Sequence, residues 1–595
     1  MKMIHDSRCE KYRTPMGAQP CNSQIRLFIE TDATEALVRF WHDDTASIYT
    51  MKPAKGGFEY TFTLPEKPGI LWYYFICDGK FYGNAPDNLG GLGAESAGEP
   101  PSFMITVYDP AYTTPEWMGD GIMLQIFPDR FERVGDTPIH GFFHENWNDD
   151  PSVFVRNGKM NSESDFFGGN LQGIISKLDY IKSLGVTVIY LNPIFMSSSN
   201  HRYNTSDYMQ IDPTLGTEED LKELCAKAME MGIRVILDGV FSHTGSDSLY
   251  FNQYRNFPGP GAYNSRKSKY YSWFMFDHWP DDYKSWWGFE TLPTVDKNSK
   301  SFRKFIYEGK DSVCAHWMKC GISGWRLDVA DELPMDFIAG FRERMRKENP
   351  DSALIGEVWE DPSRKVAYGK LRSYCLGDTL DSTMNYPIRD AILGFFLNKF
   401  DADTCARMIA SIYENTPVPF HRSVMNLLGS HDRPRVLSLL AEAGNMAPHW
   451  RQLKPIKLSN AQYELGKKRL ISAWRMICAL PGIPCIYYGD EAGMYGMTDP
   501  FCRGTYPWGN EDTDLVEEFR KTALFRHANP VLKKGDMKIE AVGRDALRIT
   551  RTFSGDAMTL TVNRNAEMRN IFGIDVPGYG AEWTRHSHLD VCEIM

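Results

Sequence analysis

From residue 121 onward, short apolar runs alternate with longer amphipathic stretches, and this alternation constrains the fold more than any other feature of the chain. The runs are almost continuously hydrophobic, as strands are when both faces of a parallel sheet are covered. They read "IMLQIF", "VTVIYLN", "IRVILDG", "ISGWRLD", "ALIGEV", "LDSTMNY", "SVMNLLGS" and "PCIYYGD". Helical patterns such as "TEEDLKELCAKAMEMG" lie between them. Eight strand–helix units over about 390 residues predict an α/β fold, a (β/α)8 TIM barrel.

Segments of a different kind flank the barrel, which is assigned to residues 116–530. Residues 1–115 contain runs such as "IRLFIE" and "FEYTFTL" between Asp, Gly and Pro residues, which predicts an N-terminal β-sandwich. Residues 244–300, after the third strand, form an aromatic insertion, and so long an excursion from a compact domain is usually functional. We assign it as an inserted B domain. Residues 531–595 predict a small C-terminal β-sandwich.

Charge and hydropathy exclude several classes of protein. The net charge is −11 and no long cluster of Lys and Arg occurs, which argues against nucleic acid binding. No run of about 18 apolar residues exists that could span a membrane. The first residues lack the apolar segment of a secretory signal, and the 12 Cys are scattered singly. We therefore expect a cytoplasmic protein with reduced thiols.

Acidic residues follow several of the predicted strands. In a (β/α)8 barrel the carboxyl ends of the strands meet at one rim, where active sites are built. The charged residues at these ends are Asp129, Asp238, Asp328, Glu357 and Asp432, accompanied by Arg326, His243 and His431. Any single acid is as readily explained as a helix N-cap. Several acids that converge repel one another, and chains accumulate them chiefly where chemistry or a metal needs them.

Three kinds of chemistry use such a rim. A metal site at this rim is disfavoured because H-E-x-x-H does not occur and no H-x-H adjoins these strands. Phosphate binding is disfavoured because "FFGGNLQG" lacks a Lys and the usual glycine spacing. Glycoside hydrolysis needs one ionised carboxylate, one protonated carboxyl group and surfaces that hold a sugar ring. With aromatic residues at 13% of the chain, hydrolysis fits best.

Four segments then resemble, in order, the signature regions of the α-amylase family of glycoside hydrolases. They are "LDGVFSHTG" (237–245), "GWRLDVADE" (324–332), "LIGEVWED" (354–361) and "LLGSHDRPR" (427–435). The resemblance extends over roughly residues 115 to 510. It implies Asp328 as nucleophile, Glu357 as general acid/base and Asp432 as third carboxylate. It also implies that Arg326 keeps Asp328 ionised. Sugar-binding or supporting roles are implied for His243, His431, Tyr203 and Asp238.

The ending "VADE" is similar to the "VANE" of the neopullulanase, cyclomaltodextrinase and maltogenic amylase branch. That branch also has an N-terminal β-sandwich. Asp331 replaces the Asn of the branch, and Glu332 keeps its acid, which implies an acceptor-side role; a solvated acid at a helix start is an equal alternative. Trp359 is a candidate stacking surface, as are Trp286 and Trp287, with core packing as the alternative.

The resemblance implies a retaining hydrolase of α-1,4 bonds, and of α-1,6 bonds as an extension. Its substrates would be pullulan, maltooligosaccharides or cyclodextrins, and a homodimer through the N-terminal domain is implied too. No cofactor is required; Ca²⁺ is an option, with Asp136 and Asn170 as candidate ligands and Ser242 where many α-amylases have a ligating Asn. The alternatives are a transglycosylase of the same family and a non-catalytic carbohydrate-binding scaffold.

Overall fold

A computed structural model describes residues 1–156, 159–443 and 455–586, with the side chains of 154–156 and 159–161 left undescribed. Eight parallel strands form one sheet, in the chain order that the apolar runs predict. The strands are Met123–Ile126, Val188–Leu191, Arg234–Gly239, Gly324–Leu327, Ala353–Gly356, Ser382–Thr383, Met425–Leu427 and Ile483–Tyr487. A parallel bridge between Met384 and Met425 joins the sixth strand to the seventh and closes the sheet. The predicted barrel is confirmed.

Helices surround the barrel except at one position. The main helices are Leu171–Ser176, Leu178–Ser183, Glu218–Glu230, Val313–Lys319, Met335–Glu348, Tyr386–Phe396, Ala402–Asn415, Asn460–Ala479 and Thr513–Ala528. Residues 357–381, between the fifth and sixth strands, are fully described and contain no helix. A short hairpin, Val366–Ala367 with Lys370–Leu371, stands there instead. We call residues 357–381 the strand 5–6 segment.

Two β-sheets face each other at the N-terminus, and their strands pair antiparallel except for Gln19–Pro20 with Phe103–Tyr108. One sheet contains Met3–Ile4, Arg13–Thr14, Gln24–Thr31, Lys52–Ala54 and Gly57–Thr63. The other contains Gln19–Pro20, Ala36–His42, Thr45–Thr50, Gly69–Cys77, Lys80–Gly83, Ala94–Ser96 and Phe103–Tyr108. Alternate residues of each strand fill one core between them. The sandwich packs on the barrel helix Ala402–Asn415, where the Glu414 carboxylate forms ion pairs with Arg13 at 2.9 Å and with Arg8 at 2.7 Å.

The C-terminal region contains an antiparallel sheet and a hairpin. The sheet consists of Asp536–Val542, Ala546–Phe553, Asp556–Asn563 and Ala581–His586, and the hairpin of Arg569–Ile571 and Ile574–Val576. The insertion at 244–300 holds only short elements, among them the hairpin Phe276–His278 with Asp282–Tyr283. The exact boundaries at 115 and 530 stay predictions. The sandwich strands end before the first boundary, the barrel strands lie between the two, and the C-terminal strands begin after the second.

Two further features bear on the sequence predictions. The cysteines within the described ranges are free thiols, and all but Cys9 are buried. Among the helices of the described chain, none combines the length and the apolar character that crossing a bilayer requires.

Two of the buried histidines lie in different parts of the chain, His5 in the sandwich and His243 after the third barrel strand. Burial lowers the pKa of His5 to about 3 and that of His243 to about 4. Because both values lie below that of an unfolded His, about 6.5, the unfolded chain takes up the protons first as the pH falls. This contribution to stability is therefore complete above pH 6.5 and is lost as the pH falls towards 4.

We predict that the free energy of unfolding falls by about 2 kcal/mol for each of these histidines between pH 7.5 and pH 5. Urea unfolding at both pH values measures the loss. His5→Gln should reduce the difference between the two pH values by about 2 kcal/mol, since one titrating group is removed. The exposed His278, replaced in the same way, is the control and should leave the difference unchanged. An unaltered pH dependence in His5→Gln would contradict the prediction.

Candidate active site

Arg326 lies at the centre of the acidic rim and contacts three carboxyl groups from neighbouring strands. Its Nη1 donates to Asp238 Oδ1 at 2.7 Å and to Asp328 Oδ1 at 2.9 Å. Its Nη2 lies 2.7 Å from Glu357 Oε2. Arg326 is fully buried, and the three acids are at most 5% exposed. One guanidinium thus fixes the relative positions of the nucleophile and the acid/base that the sequence predicts.

The strand geometry explains how Arg326 and Asp328 come together. Residues two apart on a strand point to the same side, and Asp328 directly follows the strand Gly324–Leu327. Burial raises the pKa of Asp328 well above its usual range; Arg326 acts against this, while Glu357 and Asp238 add to it. The expectation that Arg326 keeps Asp328 ionised is therefore incomplete. Its single positive charge is shared among three carboxyl groups.

Two further N–H groups hold Glu357. The backbone N–H of Val329 donates to Oε2 at 2.8 Å, and the indole N–H of Trp359 donates to Oε1 at 2.9 Å. Val329 has φ of 38°, a left-handed conformation that is costly for a β-branched residue. The Trp359 ring is stacked on Tyr386, with centroids 4.3 Å apart, and Arg433 lies 4.2 Å from its centroid. Trp359 therefore positions Glu357 as well as lining the cavity.

A hydrogen-bond network joins the first, second, third and seventh strands. The Tyr203 hydroxyl lies 2.9 Å from Asp238 Oδ2 and 2.8 Å from His431 Nε2. Tyr190 also donates to Asp238, at 2.7 Å. Gln125 Nε2 lies 2.9 Å from His431 Nδ1. Sequence reasoning missed Tyr190 and Gln125, although a polar group inside a buried strand was the available signal.

Asp432 lies between two basic groups. His431 Nε2 is 3.0 Å from Oδ2, and Arg503 Nη2 is 3.2 Å from Oδ1. Burial opposes ionisation, but His431 and Arg503 outweigh it and lower the pKa of Asp432 below its usual range. Asp432 is thus held as an anion at the cavity wall. Arg503 comes from the loop after the eighth strand and had no signal in the sequence.

A cavity of about 840 Å³ opens above these groups. It is lined by Asp328, Glu357, Asp432, Tyr203, His243, His431, Glu332 and Trp359 among others. Arg326 and Asp238 are not lining residues but lie beneath the floor. Their contacts with Asp328, Glu357 and Tyr203 suit a positioning role, and direct contact with substrate stays a prediction. His243 Nε2 lies 3.0 Å from the Tyr203 carbonyl oxygen, and its ring faces Trp286 at 5.3 Å.

Glu332 lies on the open side of the cavity and joins two exposed aromatic residues. The Tyr368 hydroxyl donates to Glu332 Oε1 at 2.5 Å, and the Trp287 indole donates to the same oxygen at 3.3 Å. Trp287 comes from the insertion and Tyr368 from the strand 5–6 segment. The neighbouring Asp331 accepts from Tyr374 at 2.6 Å and pairs with Lys365 at 3.1 Å. Two aromatic rings therefore frame the entrance.

Three predicted residues lie outside this group. Asp129 accepts backbone N–H groups of Phe167 and Gly168, both at 3.1 Å, and so fixes a loop. Asn170 caps the helix Leu171–Ser176, with Oδ1 accepting from Gly173 at 2.7 Å. Asp136 is exposed. Ca²⁺ takes six to eight oxygen ligands, so these two residues would supply only part of such a site, and bound calcium stays a prediction.

Comparison with known proteins gives consistent matches. The family model described as "Alpha amylase, catalytic domain" matches residues 125–549. An amylopullulanase of Thermoanaerobacterium saccharolyticum is 37% identical over 614 residues, covering 92% of this chain and 46% of that protein. The chain thus spans less than half of that relative. A cyclomaltodextrinase of Thermoanaerobacter pseudethanolicus is 33% identical, covering 88% of this chain and 82% of the relative.

Solved structures agree. The type III pullulan hydrolase from Thermococcus kodakarensis superposes with a TM-score of 0.68 at 26% identity, covering 98% of this chain and 100% of that one. The cyclic α-maltosyl-(1→6)-maltose hydrolase from Arthrobacter globiformis gives 0.67 at 30% identity, covering 80% of this chain and 100% of that one. The similarity to the pullulan hydrolase includes the flanking β regions as well as the barrel.

Proposed function

This chain belongs to the α-amylase family, and from that premise we propose that it is a retaining glycoside hydrolase acting on α-glucans. The observation that supports this best is the shared contact of Asp328 and Glu357 with Arg326 at the floor of the cavity. A retaining enzyme needs two carboxyl groups about 5–5.5 Å apart across the bond to be cleaved. Two carboxyl groups held by one guanidinium are compatible with that spacing.

In the first half of the reaction, an Asp328 oxygen attacks the anomeric carbon while the glycosidic C–O bond breaks. Glu357 gives its proton to the leaving oxygen. Three carboxyl groups around one guanidinium repel one another, and the reaction requires a proton on Glu357 and an ionised Asp328. Val329 and Arg326 both contact Oε2, and Trp359 uses one lone pair of Oε1, which leaves the other lone pair of Oε1 for the proton.

In the second half, Glu357 takes a proton from water, and the water oxygen attacks the anomeric carbon. The bond to Asp328 breaks, and the sugar leaves with its original anomeric configuration. Positive charge develops on the sugar in both transition states. The anionic Asp432, at the wall of the same cavity, is suited to bind ring hydroxyls and to stabilise that charge.

We assign the substrate class from the named relatives and from the aromatic residues at the entrance of the cavity. The named relatives act on pullulan, cyclodextrins and related glucans, and the same classes are proposed for this chain. Aromatic faces stack on sugar rings, and Trp287 and Tyr368 provide two such faces beside Glu332. Since these residues can also hold a sugar acceptor, transglycosylation is the second candidate activity.

Pullulan consists of maltotriose units joined by α-1,6 bonds, so its products identify the bond that is cut. We predict α-1,4 cleavage, which yields a trisaccharide that keeps an α-1,6 bond, panose or isopanose. Chromatography identifies the trisaccharide, and proton NMR during the first turnovers should show the α anomer. Maltotriose as the main product would instead identify α-1,6 cleavage. An initial β anomer would contradict the retaining mechanism.

The same digestion separates the competing functions. Products longer than the substrate, formed at high maltose concentration, would identify a transglycosylase. Complete absence of turnover on pullulan, maltooligosaccharides and cyclodextrins would favour the non-catalytic scaffold. The homodimer through the N-terminal domain stays a prediction. Sedimentation velocity measures whether the chain is a monomer or a dimer.

A further inference from the structure

Three side chains that can bind a metal ion meet on the outer surface of the barrel, apart from the cavity. Glu218 begins the helix Glu218–Glu230, which follows the second barrel strand. His316 lies on the helix Val313–Lys319, and Cys320 is the residue at its C-terminal end. Their ligand atoms all lie within 4.8 Å of one another. None of the three lines the cavity above Asp328.

The helix geometry explains why His316 and Cys320 lie next to each other. Residues four apart on a helix project from the same face, so His316 and Cys320 present a nitrogen and a sulfur side by side. Glu218 approaches from the neighbouring helix, with Oε2 3.0 Å from His316 Nε2. Its other oxygen pairs with Lys222 at 2.7 Å. Oε2 is thus directed to the histidine, and the carboxylate is held from its far side.

We propose that Glu218, His316 and Cys320 bind a divalent ion of the zinc class, with water as the fourth ligand. Zinc takes thiolate, imidazole and carboxylate ligands in a tetrahedron, with bonds of about 2.0–2.3 Å. Such a tetrahedron separates the ligand atoms by roughly 3.4–3.6 Å, so the observed cluster needs only small side-chain adjustments. Glu218 and His316 are about one third exposed, which gives the ion access, while Cys320 is buried.

Charge favours the ion over the empty cluster. A cysteine binds zinc as a thiolate, so its thiol must give up its proton, and the Glu218 carboxylate beside it adds a second negative ligand. Binding should therefore release about one proton per ion and tighten as the pH rises. An ion shared by two helices would also connect the segments that follow the second and third barrel strands. The alternative is a plain surface ion pair between Glu218 and His316, which binds no metal.

Cd²⁺ titration followed by thiolate–metal absorption tests the proposal on the whole chain, with Zn²⁺ thermal shifts alongside. We expect one more bound Cd²⁺ in the wild type than in Cys320→Ser, and a Zn²⁺-induced rise in Tm that His316→Gln loses. Cys9→Ser, which changes a partly exposed thiol of the sandwich, controls for non-specific binding and should behave as wild type. Equal absorption in wild type and Cys320→Ser would overturn the proposal. None of these readouts depends on sugar hydrolysis.

Discussion

Asp328→Asn is expected to lower kcat on pullulan or maltooligosaccharides by at least about 10⁴-fold. The amide cannot form the covalent bond to the anomeric carbon, and no other carboxylate lies in its place. The side chain keeps nearly the same volume, and its oxygen can still accept from Arg326 Nη1. Substrate binding should therefore persist, and calorimetry of the variant with a maltooligosaccharide measures it.

A matched substitution shows whether the loss is specific to the reacting carboxylate. Asp336→Asn makes the same chemical change on the surface, where Asp336 pairs with Arg303 at 2.7 Å. It should retain wild-type turnover. Activity of Asp328→Asn within tenfold of wild type would rule out Asp328 as the nucleophile. Loss of both turnover and sugar binding would indicate that the cavity itself had collapsed, which circular dichroism and the Tm would reveal.

Removal of the acid/base should have the second-largest effect. Glu357→Ala is expected to lower kcat on glucan substrates by about 10²–10⁴-fold, the usual contribution of general acid–base catalysis. Aryl glucosides with an acidic phenol need no protonation of the leaving group. Their first step should remain fast, so the glycosyl-enzyme accumulates and appears as a burst of released phenol, measured by stopped flow.

Azide completes this test, because a small anion attacks the intermediate without a general base. Its addition should restore turnover of the aryl glucoside by Glu357→Ala and yield a glycosyl azide. Alanine is preferred to glutamine here, since Val329 and Trp359 direct two donors at the two oxygens and the glutamine NH₂ would face one of them. Glu343→Ala, on the exposed face of the helix Met335–Glu348, is the control. Absence of both burst and azide rescue would assign the proton transfer elsewhere.

The barrel was predictable from the sequence because its strands are buried on both faces. Such strands leave an apolar run that few other structures produce; seven of the predicted runs contain the strand that the structure shows, and the eighth begins one residue inside it. The acids at their ends were predictable for the same reason, since a charge directly after a buried run stands out. Asp328, Glu357 and Asp432 were found in this way, and the structure brings them to one cavity.

Other parts of the site depend on loop geometry and left no periodic pattern. Tyr368 reaches Glu332 from a segment without a helix, where eight complete strand–helix units were expected. Arg503 reaches Asp432 across 71 residues of sequence. The role of Trp359 was predictable only in part, because its ring lines the cavity while its N–H group orients Glu357. The sequence also did not predict that three carboxyl groups share the Arg326 guanidinium, because this contact forms only when the strands come together.

The strand 5–6 segment touches the sandwich as well as the cavity. Arg364 donates to the Asn88 carbonyl at 2.8 Å, and the Asp109 N–H donates to the Leu376 carbonyl at 2.9 Å. Between these anchors the same segment supplies Lys365, Val366 and Tyr368 to the cavity wall. The N-terminal sandwich and the barrel therefore cannot be exchanged independently of each other. A chimera that joins this barrel to a foreign N-terminal domain would keep Asp328 and Glu357 at the floor of the cavity. It would lack the sandwich contacts that hold the strand 5–6 segment at one side of the cavity entrance.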